Sequence, residues 1–226
     1  MAVQLPRRAG NRPQQLTSTP PVPRQIRDRA VGNCAILGRM ELKDSLCNQL
    51  LIAMPGMADP NFNSTVTLVC EHNFEGALGI VINRPMDMKL EGLFEQLGLK
   101  NPDESMASHP ILNGGPVGRE RGFVLHNPGA SFENSVTVSP EVQLTLSRDV
   151  IDAMATGDGP DKSLVALGYA GWDAGQLEAE MLANTWLSVP AMPEVIFDVP
   201  FAERWTVAAE TIGIDISQIS PDAGHA

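Results

Sequence analysis

The chain has 226 residues, of which 43% are hydrophobic, and this is enough for a packed core in one or two domains. Its formal net charge of -11 argues against a uniformly basic surface that coats nucleic acid. The longest apolar candidate covers only residues 50–54, whereas a membrane-spanning helix needs roughly 18 residues. We therefore expect neither a membrane-spanning helix nor a disordered chain.

Charge divides the chain into a basic arm and an acidic body. Residues 1–43 carry eight basic and two acidic groups, whereas residues 44–226 carry eight basic and 25 acidic groups. Proline and polar residues dominate up to about residue 24, where few side chains could offset the entropy of ordering. We predict a flexible tail at 1–43 and one folded domain at 44–226.

The arm has several interpretations. A solvated tail or a misassigned start site is favoured, because blocks of like charge are commonly solvated. A weak, salt-sensitive contact with nucleic acid is the alternative, and a transit peptide is a minor option.

The three cysteines, Cys34, Cys47 and Cys70, are an odd number without a CxxC pair. This pattern supports neither a disulfide framework nor a zinc site, and it favours a reducing compartment. Arginines and prolines interrupt the first residues, so we expect no secretory signal. We predict no metal and no cofactor.

Short apolar runs bounded by Gly, Pro and Asn predict strands. They cover residues 50–54, 65–71, 77–83, 122–126, 135–138, 143–146, 163–168 and 194–198. Apolar residues at spacings of three and four predict helices at 89–97, 147–155, 173–184 and 201–212. We expect Ser147 to cap the second helix, Asp173 and Gln176 to form a capping box, and Trp205, Ala208, Ala209 and Ile212 to be buried on the fourth.

Strands interrupted by single helices predict an α+β domain with a mixed sheet. Several segments of this domain, in the same order, resemble the YqgE/AlgH family. They are LIAMPGMADPNF (51–62), CEH (70–72), GIVINRP (79–85), GGPV (114–117), RGFVLH (121–126), LGYAGW (167–172) and AGQLE (174–178).

The resemblance implies a mixed, branching sheet folded into a partial barrel, and the residue patterns above add about four flanking helices. It also implies a bacterial, cytoplasmic protein of a largely uncharacterised family with a transcriptional-regulator label. It brings no recognised DNA-binding motif.

Cys70 and His72 are the weak candidates for catalysis. Strand alternation places them on one face, where an imidazole beside a thiol could activate a nucleophile. The favoured interpretation is a buried thiol and a hydrogen-bonded histidine, because no oxyanion donor or orienting group is identifiable. A zinc site formed by Cys70, His72 and His126 is less favoured.

Candidate ligand-binding residues lie in polar loops at strand ends: His72, Asn83, Arg84, Gly114, Gly115, Arg121 and His126. Arg84 could clamp a carboxylate or phosphate, although a salt bridge is favoured in so acidic a body. Gly114 and Gly115 form a turn that lets backbone approach closely, with Arg119 and Arg121 following, so a small anion is one occupant and a bare turn another. His126 could face His72 if their strands pair.

The run 168–172 leads into a capped helix and is interpreted first as tight packing, because Asp173 would repel a phosphate.

Two functions from different classes follow. The leading hypothesis is a non-catalytic regulatory protein that binds a small anionic ligand or a protein partner, with nucleic acid bound only weakly through the tail. The alternative is a thiol-assisted hydrolase or transferase that acts on a small anion through Cys70 and His72. Self-association does not follow from the sequence, although exposed strand edges in a mixed sheet are compatible with a homo-oligomer.

Overall fold

Ten strands form one sheet, and six α-helices flank it among the residues that the computed structural model describes, 45–100 and 104–218. The predicted tail lies outside these residues. The strands are β1 Gln49–Ala53, β2 Val66–Asn73, β3 Gly76–Val81, β4 Pro85–Lys89, β5 Pro110–Asn113, β6 Val117–His126, β7 Ser135–Ser139, β8 Val142–Thr145, β9 Ser163–Asp173 and β10 Trp186–Pro190. The helices are α1 Leu90–Gln96, α2 Glu104–Ala107, α3 Asp149–Thr156, α4 Gln176–Leu182, α5 Pro193–Phe197 and α6 Arg204–Glu210, and a 3₁₀ turn follows at Ile216–Gln218.

The sheet branches at β9. Its main path runs β10-β1-β2-β3-β9-β6-β8-β7 with antiparallel neighbours, while β5 adds to β9 in parallel and β4 pairs with β5. The sheet curls into a half-barrel. The curl brings the Cys47 thiol, just before β1, to 4.0 Å from the Val138 carbonyl on the far edge strand β7. The predicted α+β fold with a mixed, branching sheet and partial barrel is confirmed.

Three apolar clusters hold the helices against this sheet. The largest contains Leu68, Ile80, Phe123 and Leu144 and is covered by α5, α6 and the 3₁₀ turn. A second joins α1 and α3 to β5, β6 and β9, and a third places α4 over Trp172 and Trp186. No helix in the described ranges is long and apolar enough to cross a bilayer.

One predicted strand is wrong, and three strands escaped prediction. Residues 194–198 were expected to be extended, but Pro193 begins a helix there and turns Val195 and Ile196 into the core. Proline is favoured in the first helical turn because its missing N–H has no partner there in any case. Strands β4, β5 and β10 carry weak alternation and were not foreseen.

The four predicted helices exist, but their ends differ in detail. The Ser147 hydroxyl donates to the Asp149 carboxylate, and Arg148 rather than Ser147 is the N-cap residue. Half of the predicted capping box forms, because the Asp173 N–H donates to Gln176 Oε1 at 3.0 Å. Ala208 and Ala209 are buried, whereas Ile212 is 44% exposed because the helix stops at Glu210.

Substitution of Gly115 by alanine should destabilise the fold. Its φ is +152°, and an added Cβ would lie 2.1 Å from the Tyr169 carbonyl carbon. We expect a loss of about 3 kcal/mol in the free energy of unfolding, measured by urea denaturation. Gly122→Ala is the control, because its Cβ would meet nothing within 4 Å. Equal stability of the two variants would contradict the argument.

Candidate functional site

A β-bulge separates Cys70 from His72, the two weak candidates for a thiol–imidazole pair. Val69 pairs with Gly79, but Glu71 pairs with Leu78, so Cys70 is an extra residue in β2. A bulge shifts the alternation of the strand by one residue. Cys70 therefore faces the main core together with Leu78, and His72 faces α4 on the other side of the sheet.

Cys70 is a core residue. It is 2% exposed, and burial raises the pKa of its thiol well above the ordinary value, with Cys47 and Glu71 adding to the shift. A thiol that is protonated and shielded from solvent does not act as a nucleophile at neutral pH. The geometry therefore gives no support to Cys70 and His72 as a catalytic pair, and it agrees with the favoured interpretation of a buried thiol and a hydrogen-bonded histidine.

Both ring nitrogens of His72 are engaged by the protein. The Leu46 N–H donates to Nδ1 at 2.8 Å, so the neutral ring carries its proton on Nε2, which lies 3.0 Å from Glu178 Oε1. The imidazole therefore ties the segment before β1 to α4. No nitrogen of this ring is left for a ligand.

His126 is fully buried on β6 and does not face His72, because β6 pairs with β8 and β9 rather than with β2. Its Nδ1–H donates to the Asn127 carbonyl at 2.8 Å, and Nε2 lies 2.8 Å from the Thr145 hydroxyl. Burial lowers the pKa of His126, which favours the neutral ring. His126 therefore links β6 to β8 through the Thr145 hydroxyl.

Asn83 and Arg84 hold the loop between β1 and β2. Asn83 accepts from the Val66 N–H and donates to the Ser64 carbonyl, both at 2.9 Å. The Arg84 guanidinium donates to the carbonyls of residues 60 and 63 at 2.8 and 2.7 Å. The favoured salt bridge of Arg84 is therefore replaced by two backbone contacts.

Gly114 and Gly115 approach the backbone of β9. The Gly114 N–H donates to the Leu167 carbonyl at 2.8 Å, and its own carbonyl accepts from Val81 at 2.9 Å. A Cβ on Gly114 would lie 2.3 Å from the Gly168 carbonyl oxygen. The turn at Gly114 and Gly115 does make a close backbone approach, and the segment it approaches is β9 of the same chain.

Arg121 lies on a large bulge of β6. Val117 pairs with Tyr169 and Gly122 with Leu167, so residues 118–121 stand opposite Gly168 alone. The Arg121 side chain keeps 30% of its accessible surface, yet its Nη1 is buried and has no hydrogen-bond partner. Its nearest carboxylate, that of the exposed Glu120, is 3.6 Å from Nε.

Tyr169 forms the wall beside this guanidinium. An added Cβ on Gly118 would lie 3.2 Å from Arg121 Cδ and 3.4 Å from the Tyr169 ring. Burial raises the pKa of the Tyr169 phenol, and Arg121 opposes the rise. The two side chains therefore share one site, next to Gly118 and across β9 from Gly114 and Gly115.

Sequence reasoning missed three structural side chains. Glu180 accepts from the indoles of Trp172 and Trp186 at 2.9 and 2.8 Å. Arg204 is 2% exposed and donates to the carbonyls of Val199 and Ile82. Tyr169 belongs to the LGYAGW motif (167–172), but the sequence of that motif gives no sign that Tyr169 lies beside Arg121.

Metal ligation finds no support among the described residues, where no group of three His, Cys, Asp or Glu side chains could hold an ion. Cys70 and His126 lie in different parts of the fold.

Native Cys70 should resist alkylation. We expect iodoacetamide at pH 7 to leave it unmodified until urea unfolds the chain, because its thiol is buried and protonated. Peptide mass mapping distinguishes it from Cys47, which is the internal comparison because it is partly accessible. Labelling of native Cys70 at the rate of a small free thiol would overturn this assignment.

Acid should destabilise the protein partly through His126. Its folded pKa lies below 6.5, so the unfolded chain takes up the proton first as the pH falls. Its contribution is fully present above about pH 6.5 and decreases below that value. We expect His126→Gln to flatten the fall in unfolding free energy between about pH 7.5 and 5.5. His109→Gln, at an exposed position, is the comparison variant, and equal slopes in the parent and in both variants would refute the role of His126.

Comparison with known proteins agrees with this fold. A UPF0301 protein of Thiobacillus denitrificans is 53% identical over 182 residues, which are 80% of this chain and 98% of the relative. One from Thioalkalivibrio sulfidiphilus is 50% identical over 187 residues, which are 83% and 100% of the two chains.

Two solved structures are similar. The solution structure of the AlgH protein from Pseudomonas aeruginosa has a TM-score of 0.67 and 47% identity, and the match covers 84% of this chain and all of that one. A crystal structure from Corynebacterium diphtheriae has a TM-score of 0.60 at 18% identity, covering 75% and 88% of the two chains, so it bears on the fold alone. The AlgH-like family model matches residues 50–217. The chain therefore belongs to the AlgH-like family of UPF0301 proteins.

Proposed function

We propose that this chain is a non-catalytic regulatory protein that binds a small anionic group at Arg121. The observation that carries this proposal is the buried Nη1 of Arg121, which has no hydrogen-bond partner. Buried donors of folded proteins nearly always have partners, and an unpaired one calls for a specific explanation. An anion bound to the accessible side of the same guanidinium, where it would hold the side chain in this half-buried position, provides one.

The accessibility of the guanidinium supports an external ligand. Arg121 is partly exposed as a side chain while one of its nitrogens is covered, so a ligand reaches it from one side only. A guanidinium offers paired donors that match two oxygens of a carboxylate or phosphate. The Tyr169 ring beside it supplies an apolar wall.

The β6 bulge at residues 118–121 also supports a binding site at Arg121. Residues 118–121 leave the regular ladder of β6, and such bulges often re-aim a side chain near a binding site. The turn depends on Gly118, whose φ is +57°. Of the predicted ligand residues, this proposal keeps Arg121 as the contact and assigns Gly114 and Gly115 to positioning it.

Catalysis by Cys70 and His72 is not part of the proposal, because the two residues lie on opposite faces of the sheet. Regulation through DNA has less support than anion binding. Residues 44–226 carry 25 acidic groups against eight basic ones, so affinity for nucleic acid would reside in the basic arm. A cytoplasmic site of action suits Cys47 and Cys70, which form no disulfide among the described residues.

Removal of the Arg121 charge should weaken anion binding. We expect inorganic phosphate, titrated into the full chain and followed by amide chemical shifts of residues 117–122, to bind at millimolar concentration. Arg121→Gln should weaken this binding at least about ten-fold, because a charge-assisted hydrogen bond is lost. Arg121→Lys should fall between, since it keeps the charge without the planar fork.

Arg119→Gln is the matched control, because Arg119 is exposed on the same bulge and its loss changes the net charge equally. It should bind phosphate within about two-fold of the parent. Equal weakening in both variants would show general charge attraction only. Absence of any shift near Arg121 would sink the proposal.

A further inference from the structure

The edge strand β7 has backbone groups that β8 does not use. The Leu146 N–H donates to the Asn134 carbonyl, and Val136 stands opposite Leu144. Hydrogen-bonded pairs alternate in an antiparallel ladder, so the N–H and C=O groups of Ser135 and Thr137 point away from β8. Among the described strands, β7 pairs with β8 alone.

The sequence of β7 does not protect this edge. Its five residues, SVTVS, are β-prone and contain neither a charge nor a proline. Another terminal strand, β4, carries Pro85, Asp87 and Lys89, which discourage pairing with a further strand. The edge at Ser135 and Thr137 is therefore open to the addition of a strand, whereas the Cys47 thiol approaches the carbonyl of Val138 further along β7.

A cleft of about 640 Å³ lies beside the same strand. The loop of residues 128–134 forms one wall, and Ser135, Thr137 and Gln143 form the other. Glu133 also lines the cleft, and no Lys or Arg does. Its chemistry suits a cationic or hydroxyl-rich group better than an anion.

Contacts with Thr145 and His126 hold both walls of the cleft in place. The Ser135 hydroxyl lies 2.6 Å from that of Thr145, which in turn lies 2.8 Å from His126 Nε2. The Phe132 ring packs edge-on against His126, with 5.5 Å between ring centres. These contacts fix the loop over the sheet, so the cleft exists before a ligand arrives.

We propose that β7 receives an extended, basic polypeptide segment by strand addition. The backbone of the segment pairs with Ser135 and Thr137, and a Lys or Arg side chain enters the cleft beside Glu133. Charge selects the partner, because residues 44–226 carry 25 acidic groups against eight basic ones. This surface lies on β7 and β8 and does not include Arg121, so it is independent of the anion site.

The first experiment titrates the full chain with the acetylated, amidated peptide Lys-Val-Lys-Val-Lys and follows backbone amide shifts. We expect the largest shifts at residues 133–139 and 143. The acidic counterpart Glu-Val-Glu-Val-Glu should not bind. A version of the basic peptide with N-methylated central residues should bind at least about ten-fold more weakly, because it lacks the pairing N–H groups.

Two variants, each with a matched control variant, test the surface itself. Thr137→Pro removes an outward N–H and should weaken binding of the basic peptide about ten-fold, whereas Thr137→Val keeps that N–H and should bind like the parent. Glu133→Gln should weaken the basic peptide, and Glu194→Gln, an exposed acid on α5, should not. Amide spectra of each variant report whether the fold is intact.

Four results would overturn the proposal. They are equal binding of the N-methylated and parent peptides, equal binding of the acidic peptide, no shifts at 133–139, and pairing of β7 with a second copy of the chain in place of the peptide. The last is detected as a concentration-dependent dimer in sedimentation velocity. If Thr137→Pro does not fold, the N-methylated peptide still decides the question, because it leaves the protein unchanged.

Discussion

The sheet depends on one crossing of two backbones, where Gly114 and Gly115 lie against Gly168 and Tyr169. The Gly114 N–H bonds to β9 and its carbonyl bonds to β3, so this segment wedges between two strands that pair further along. A side chain at either glycine would overlap main-chain atoms, which have no room to move. The branch of the sheet, and with it the placement of β4 and β5, follows from this contact.

The same crossing positions the candidate anion site. Gly168 in β9 adopts a φ of +76° where it contacts the Gly114–Gly115 segment. Opposite that single glycine, residues 118–121 of β6 form a bulge. Within this bulge, Arg121 lies beside Tyr169, and its Nη1 is buried without a hydrogen-bond partner. The glycine with positive φ at the branch and the buried, unpaired Nη1 beside it therefore belong to one local arrangement.

Much of the fold was accessible from the sequence, because apolar runs and glycine stops are local signals. Seven of eight predicted strands and all four predicted helices exist, and the eighth strand failed where proline started a helix. The candidate site was harder to predict. Alternation placed Cys70 beside His72, but a bulge depends on pairing across strands and has no local signal. The glycine pair was recognised correctly as a point of close approach, although β9 rather than a ligand approaches it.

Several other basic side chains of residues 44–226 have partners within the protein, so Arg121 stands out as a candidate anion-binding group on an acidic surface. Arg84 and Arg204 give their donors to backbone carbonyls, so they brace loops and helices without neutralising carboxylates. Lys162 pairs with Asp198, and the remaining negative field repels anions at long range. An anion at Arg121 must therefore be held by short, directed hydrogen bonds to a partly desolvated group, which favours compact anions with two adjacent oxygens. The same field acts in the opposite sense at the cleft beside β7, where Glu133 attracts cations without an opposing base. One charge distribution thus favours two different ligands at separate sites of the same sheet.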